Sequence, residues 1–152
     1  MGICLQIFLE KKSKCSGLCR KEQARLSWEE VQAIARGDAF GLEGSEKPLV
    51  QELRFKMITQ GLRPRTIVDY TPGTLCLPAG NVRVTLDHHI RTALGDTDFL
   101  EPDCVTVPAG DAPAILEVKW DQFLPSLIRD LVQVPRTHTS AFSKYAACRI
   151  YG

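Results

Sequence analysis

Apolar and polar positions alternate strictly over residues 80–87. Val82, Val84 and Leu86 fall on one face of a strand, and Arg83, Thr85 and Asp87 on the other. The alternation returns at 115–120, where Leu116, Val118 and Trp120 share a face opposite Glu117 and Lys119. A third copy opens the chain, with Phe8, Glu10, Lys12 and Lys14 on one side. The apolar faces are expected to meet a core. The polar faces carry isolated charges of both signs rather than the mixed residues of a solvated surface. Three strands presenting Glu with Lys or Arg inward would build a basic cavity dotted with carboxylates, a chemistry for polyanions and metal ions.

The remaining elements follow from turn and cap signals. Residues 3–14 and 18–25 read as a hairpin turning at Ser16 and Gly17, with Lys21 opposite in facing to Arg20 and Glu22. Ser27 with Glu30 three residues on forms a capping box, and Trp28, Val31, Ile34 and Ala35 make a buried stripe that ends at Gly37. A loop is expected over 38–43. Pro48 opens a second helix that turns Leu49, Val50, Leu53, Met57 and Ile58 inward and closes at Gly61. Residues 63–77 read as one or two strands, with Pro72 at a bend or a sheet edge. The span 88–110 reads as loop and includes the acidic residues Asp96, Asp98, Glu101 and Asp103. After the strand at 114–120, Leu124, Leu127, Ile128 and Leu131 have helical spacing behind Pro125. A short last helix holds Ser143, Lys144, Tyr145 and Cys148.

Composition narrows the functions. The chain has 152 residues, enough for one domain with a modest core. A net charge of +1 gives no global case for nucleic acid, so an anion site must come from local clustering. No apolar run approaches the roughly 20 residues that span a bilayer. The apolar start lacks a basic leader and a cleavage site, which predicts a cytoplasmic chain with reduced thiols at its six cysteines. A zinc site at Cys15 and Cys19 is the lesser reading, because no second ligand pair stands at a usual spacing. His88 and His89 are adjacent and point to opposite faces of a strand, which argues against shared metal ligation.

Five segments then stand in one order: 9–14 (LEKKSK), 19–24 (CRKEQA), 81–87 (NVRVTLD), 115–119 (ILEVK) and 142–145 (FSKY). In that order they resemble the bacterial branch of the VTC (vacuolar transporter chaperone) polyphosphate polymerase domain, within the triphosphate tunnel metalloenzymes. The resemblance implies an α+β fold, an antiparallel β tunnel with flanking helices. Residues 1–152 would be its C-terminal portion, partial and missing the N-terminal strands. It implies transfer of the terminal phosphoryl group of ATP onto polyphosphate, with Mn²⁺ or Mg²⁺ as cofactor. Lys12 and Lys21 would be tunnel lysines, Arg83 a tunnel arginine and Glu117 the metal ligand. Ser143 and Lys144 would contact phosphate, and Lys12, Lys21, Arg83 and Lys144 would form the catalytic set.

Two departures accompany the resemblance. A preceding half-tunnel has no counterpart, so the expected partners include a chain supplying it, besides ATP and polyphosphate. A membrane-protein partner fits the family too, without direct membrane insertion. Where the family has Tyr-x-Arg, this chain reads Tyr70, Thr71, Pro72. The alternative reading is a catalytically inactive truncated domain, or a module that binds polyphosphate or inositol phosphate. Individual residues also have plainer readings: Arg83 in an ion pair, Glu117 paired with Lys119, Lys12 and Lys21 on a solvated hairpin, and Ser143 as a helix cap. Arg63, Arg65 and Arg91 are accessory anion candidates, and Asp69 and Asp87 supporting acids.

Overall fold

In the computed structural model the chain divides into two units, residues 1–65 with 97–102 and residues 66–96 with 103–152. The structure describes residues 6–151 apart from 17, 96, 98, 102, 112, 113, 138 and 140. The expected strand start at 3–5, Cys4, the turn glycine Gly17, and Asp96 and Asp98 lie outside the described residues. The architecture is α+β, with antiparallel sheets and short helices.

In the first unit, β1 (Phe8–Cys15) and β2 (Leu18–Arg25) form an antiparallel hairpin. Ser16 takes the left-handed turn conformation at φ 49°. Period-2 alternation divides the hairpin between a packed face, with Leu9 and Lys11, and an exposed one, with Glu10, Lys12 and Lys14. Helix α1 (Trp28–Ala35) starts on the expected capping box, in which Glu30 accepts from the Ser27 N–H at 2.7 Å. The stripe is rotated from the expectation: Trp28 is exposed and Glu30 is buried. Lys47 and Ser45 donate to the Glu30 carboxylate at 2.6 and 2.5 Å, which makes its burial tolerable.

The expected loop at 38–43 contains a 3-10 turn, Phe40–Leu42, that inserts Leu42 into the core. Helix α2 (Pro48–Thr59) contributes Val50 and Met57, whereas Ile58 is exposed. Ala33, Ala39, Leu42, Val50 and Met57 form the core, and Leu9, Leu26, Ile34 and Leu53 pack on it.

The second unit is built on a central strand. β3 (Val68–Leu77), β4 (Val82–Ala93) and β5 (Thr106–Pro108) pair in that order, and β6 (Ala114–Lys119) also pairs with β4. Pro72 lies on β3 at the sheet edge, the place in a sheet where proline is tolerated. β4 extends six residues beyond the alternating segment, into what reads as loop. His89 takes φ 52° there and interrupts the period, with a register shift between Asp69 and Thr71 across the ladder.

The alternation also misleads about depth. Asp87 on the polar face is only 3% exposed, while Leu86 on the apolar face is 45% exposed. Helices α3 (Ser126–Leu131) and α4 (Lys144–Cys148) follow. Of the expected α3 stripe only Ile128 is buried; Leu127 and Leu131 are exposed. Ile90, Ala109 and Cys148 form this unit's core, with Val68 and Ile115 against it.

Candidate functional site

Register places the chemistry of the second unit on one sheet face. Arg83 stands opposite Cys76 on β3 and Lys119 on β6, Thr85 opposite Thr74 and Glu117, and Asp87 opposite Pro72 and Ile115. Residues directly opposed across an antiparallel ladder share a face. Arg83, Thr85, Asp87, Glu117 and Lys119 are therefore neighbours, and Arg83 and Lys119 are adjacent cations, both exposed. Glu117 is bonded to Lys119 at 3.0 Å, and Arg83 has no ion pair among the described residues.

A cavity of about 420 Å³ lies beside these two cations. Cys76, Asn81, Arg83, Lys119, Trp120 and Asp121 contribute to its lining. Asn81 donates to Asp121 at 2.6 Å, and the Asp121 N–H donates to the Gly80 carbonyl at 3.2 Å. These bonds tie the entry of β4 to the exit of β6. Gly80 is required here: it has φ 76°, and a Cβ would stand 2.3 Å from the Phe123 carbonyl oxygen.

Lys144 reaches the same face from α4. Its ammonium is bonded to the buried Asp87 carboxylate and lies 4.7 Å from the centre of the Tyr70 ring. Ser143 is occupied as the α4 N-cap, accepting from the Ala146 N–H at 3.2 Å. Cys148 anchors the other end of the helix. Burial pushes its thiol up, and its Sγ lies 3.6 Å from the Arg91 carbonyl.

Lys12 and Lys21 belong to the first unit, directly opposed on the exposed face of the hairpin. Lys21 is paired with Glu10 at 2.5 Å. On the other face Lys11 is bonded to Glu52, which also takes Lys56. The Lys11 and Lys56 hydrogen bonds hold the Glu52 carboxyl down at about 2. Burial pushes the Glu30 carboxyl up, but donation from Lys47, Ser45 and the Ser27 N–H outweighs it, leaving it below the usual range.

Two accessory arginines are committed elsewhere. Arg91 donates to the Thr106 hydroxyl at 2.8 Å and to its carbonyl, and Arg63 donates to the Met57 and Leu62 carbonyls beyond α2. Arg65 is exposed. The opposed facing expected of His88 and His89 does not hold, because the left-handed φ of His89 brings their Nδ1 atoms to 3.0 Å.

Sequence reasoning overlooked three contributors: Lys119, Tyr70 and the Asn81–Asp121 bond. The signal for Lys119 lay in the Lys two residues after Glu117, but only the β4–β6 register sets it against Arg83. For a hard divalent ion, Glu117 offers one exposed carboxylate. No group of three His, Cys, Asp or Glu lies together among the described residues. A hard divalent ion held there would have to take its other ligands from phosphate and water. No described helix is long and apolar enough to cross a membrane.

No curated protein and no solved structure gives a significant match to the chain. The family model described as the VTC domain matches residues 3–150. With that match over nearly all of its length, the chain belongs to the VTC domain family, a polyphosphate polymerase-like family.

Proposed function

We propose that the chain is a polyphosphate polymerase-type domain that binds ATP and polyphosphate on the Arg83 face with a divalent metal. The observation that carries this reading is the pair Arg83 and Lys119, directly opposed across β4 and β6 and exposed beside the cavity. Glu117 offsets one of these two charges through Lys119, and Arg83 has no ion pair among the described residues, so this part of the face keeps a positive charge that an anion can offset. A guanidinium fork grips two phosphate oxygens, and an ammonium adds a mobile point charge.

In the reaction, a terminal oxygen of the polyphosphate chain attacks the γ-phosphorus of ATP. A new P–O bond forms, the bond to the β-phosphate bridging oxygen breaks, and ADP leaves with that electron pair. The residues' work is to position the phosphates and neutralise their oxygens. Arg83 and Lys119 hold phosphate, Glu117 holds Mn²⁺ or Mg²⁺, and Lys144 supplies a further cation at the far end of the face. The bound metal would screen charge on the phosphate oxygens. Lys12 and Lys21 are proposed as phosphate contacts of the first unit.

A second reading, a non-catalytic polyphosphate or inositol phosphate module, is favoured by one observation. Lys144 and Glu117 are already engaged by Asp87 and Lys119. Calorimetry with tripolyphosphate, with and without Mn²⁺, in intact chain and Arg83→Ala, tests the phosphate site. Metal-dependent binding that is lost in the variant supports it, and undiminished binding in the variant removes it. Formation of ADP and longer polyphosphate from ATP then separates the polymerase from the binding module.

A further inference from the structure

We propose that His88 and His89 form a two-imidazole chelating site for a divalent transition ion of tetragonal preference, Ni²⁺ or Cu²⁺. Neighbouring strand residues ordinarily point to opposite faces, so adjacent histidines do not share a ligand. Here the left-handed backbone of His89, at φ 52°, breaks the alternation. The rings meet edge to face with centroids 4.5 Å apart, and the two Nδ1 atoms stand 3.0 Å apart.

That spacing is a chelate bite. Two nitrogens 3.0 Å apart, each about 2.05 Å from a metal, subtend roughly 94° at it. The angle is that of cis positions in square-planar or octahedral coordination, and it is narrower than a tetrahedral site wants. Imidazole nitrogen with this geometry favours Cu²⁺ or Ni²⁺ over Zn²⁺, and strongly over Mg²⁺ or Mn²⁺. In the metal-free pair only one of the facing nitrogens carries hydrogen, donating it to the other. For a metal to bind, the ring that carries hydrogen on Nδ1 shifts to its Nε2–H tautomer, which frees both Nδ1 lone pairs with no net loss of protons.

The setting supports one fixed ligand and one adjustable one. His88 is half-buried and in register with both Thr71 and Ala114, so its backbone is held from both sides. His89 is exposed, and its ring can turn to aim its lone pair off the line between the nitrogens. Among the described residues no third His, Cys, Asp or Glu joins them, so water or an anion completes the coordination. By alternation His88 lies on the sheet face opposite Asp87, Thr85 and Glu117. The site is therefore separate from the hard-metal site proposed at Glu117.

The test is Ni²⁺ calorimetry on the intact chain, His88→Gln and His89→Asn, with circular dichroism confirming that each is folded. Asn is chosen at 89 because it tolerates the left-handed backbone. The expected result is one Ni²⁺ site weakened at least about tenfold in each variant. Copper loaded at one equivalent should give a tetragonal EPR spectrum with nitrogen splitting that each variant alters. Ni²⁺ binding that is unchanged in both variants would assign the metal to the exposed thiols and overturn the proposal. A folded intact chain that takes up no Ni²⁺ would overturn it too.

Discussion

The Lys144 ammonium is bonded to the Asp87 carboxylate, and the two partners differ sharply in burial. The Asp87 side chain is 5% exposed and that of Lys144 is 26% exposed. Removing either one therefore has unequal consequences. In Lys144→Met a buried carboxylate loses its counter-charge, which should cost about 2–4 kcal/mol. In Asp87→Asn the ammonium can turn toward water, and the loss should be about 1–2 kcal/mol. Urea denaturation of both variants checks the order. Equal losses would mean that the carboxylate has another cation to turn to.

The entry to β4 is fixed by a close approach rather than by a side chain. Gly80→Ala must relieve both a left-handed backbone and contact with the Phe123 carbonyl, and should lose about 2–4 kcal/mol. Gly44 has no atom within 4 Å of a built Cβ, so Gly44→Ala serves as the control and should lose almost nothing. Because Gly80 also accepts from the Asp121 N–H, Gly80→Ala should weaken tripolyphosphate binding beside Arg83 as well. Thermal melts and calorimetry read the two effects separately.

The sequence made the local structure legible wherever one signal acted alone. The Ser27–Glu30 box, Pro48 in the first turn of α2 and the alternation of residues 82–87 each specify an element without tertiary help. It failed where signals competed. His89 interrupts the period in the middle of β4, so the strand's second half reads as loop. Alternation assigned Arg83 and Asp87 correctly to one face, but not which face is covered. Asp87 is buried because Lys144, 57 residues later, comes down on it, and Leu86 is exposed on the other side. The Arg83–Lys119 pair depends on strand register, which neither segment carries by itself.

Acid should weaken the first unit through Glu52. Its carboxyl is held down at about 2 in the fold, chiefly by the Lys11 and Lys56 hydrogen bonds, against an ordinary 4.5. A depressed carboxyl contributes its stability in full above the unfolded value and loses it as pH falls through the folded one. Glu52→Gln lacks that contribution. The stability difference between the intact chain and this variant should be constant near neutral pH and shrink between pH 4.5 and about 2. Denaturation series at several pH values measure it. A difference that persists unchanged to pH 2 would show that Lys11 and Lys56 do not act on Glu52 through its charge.

Thiol chemistry should separate the cysteines by depth. Cys15, Cys19 and Cys76 are exposed, while Cys148 is buried with its thiol pushed up by burial. Only thiolate reacts, so Cys148 should resist alkylation in native buffer and react once the chain is unfolded. Peptide mapping after iodoacetamide treatment distinguishes the sites. Rapid native labelling of Cys148 would mean that α4 lifts from the sheet, and Lys144→Met should then accelerate it further.

Pro72 stands where the family resemblance expects an arginine, and register sets it directly opposite Asp87 on the face that carries Arg83. As an exposed edge residue it can be replaced without losing a ladder bond, so Pro72→Arg should fold. A guanidinium there adds a cation to the phosphate face, and tripolyphosphate affinity should rise about tenfold, the effect of one charge-assisted contact of about 1.4 kcal/mol. The new arginine also comes within reach of Asp87 and competes with Lys144 for it. If it displaces Lys144, the released ammonium becomes available to phosphate, and affinity rises by either route. The double variant Pro72→Arg with Lys144→Met separates them. Measured against Lys144→Met alone, retention of the gain assigns it to Arg itself, and its disappearance shows that the gain needs Lys144, either as a phosphate contact or as the partner that keeps Asp87 from the new Arg. No gain in the folded single variant would remove residue 72 from the phosphate path.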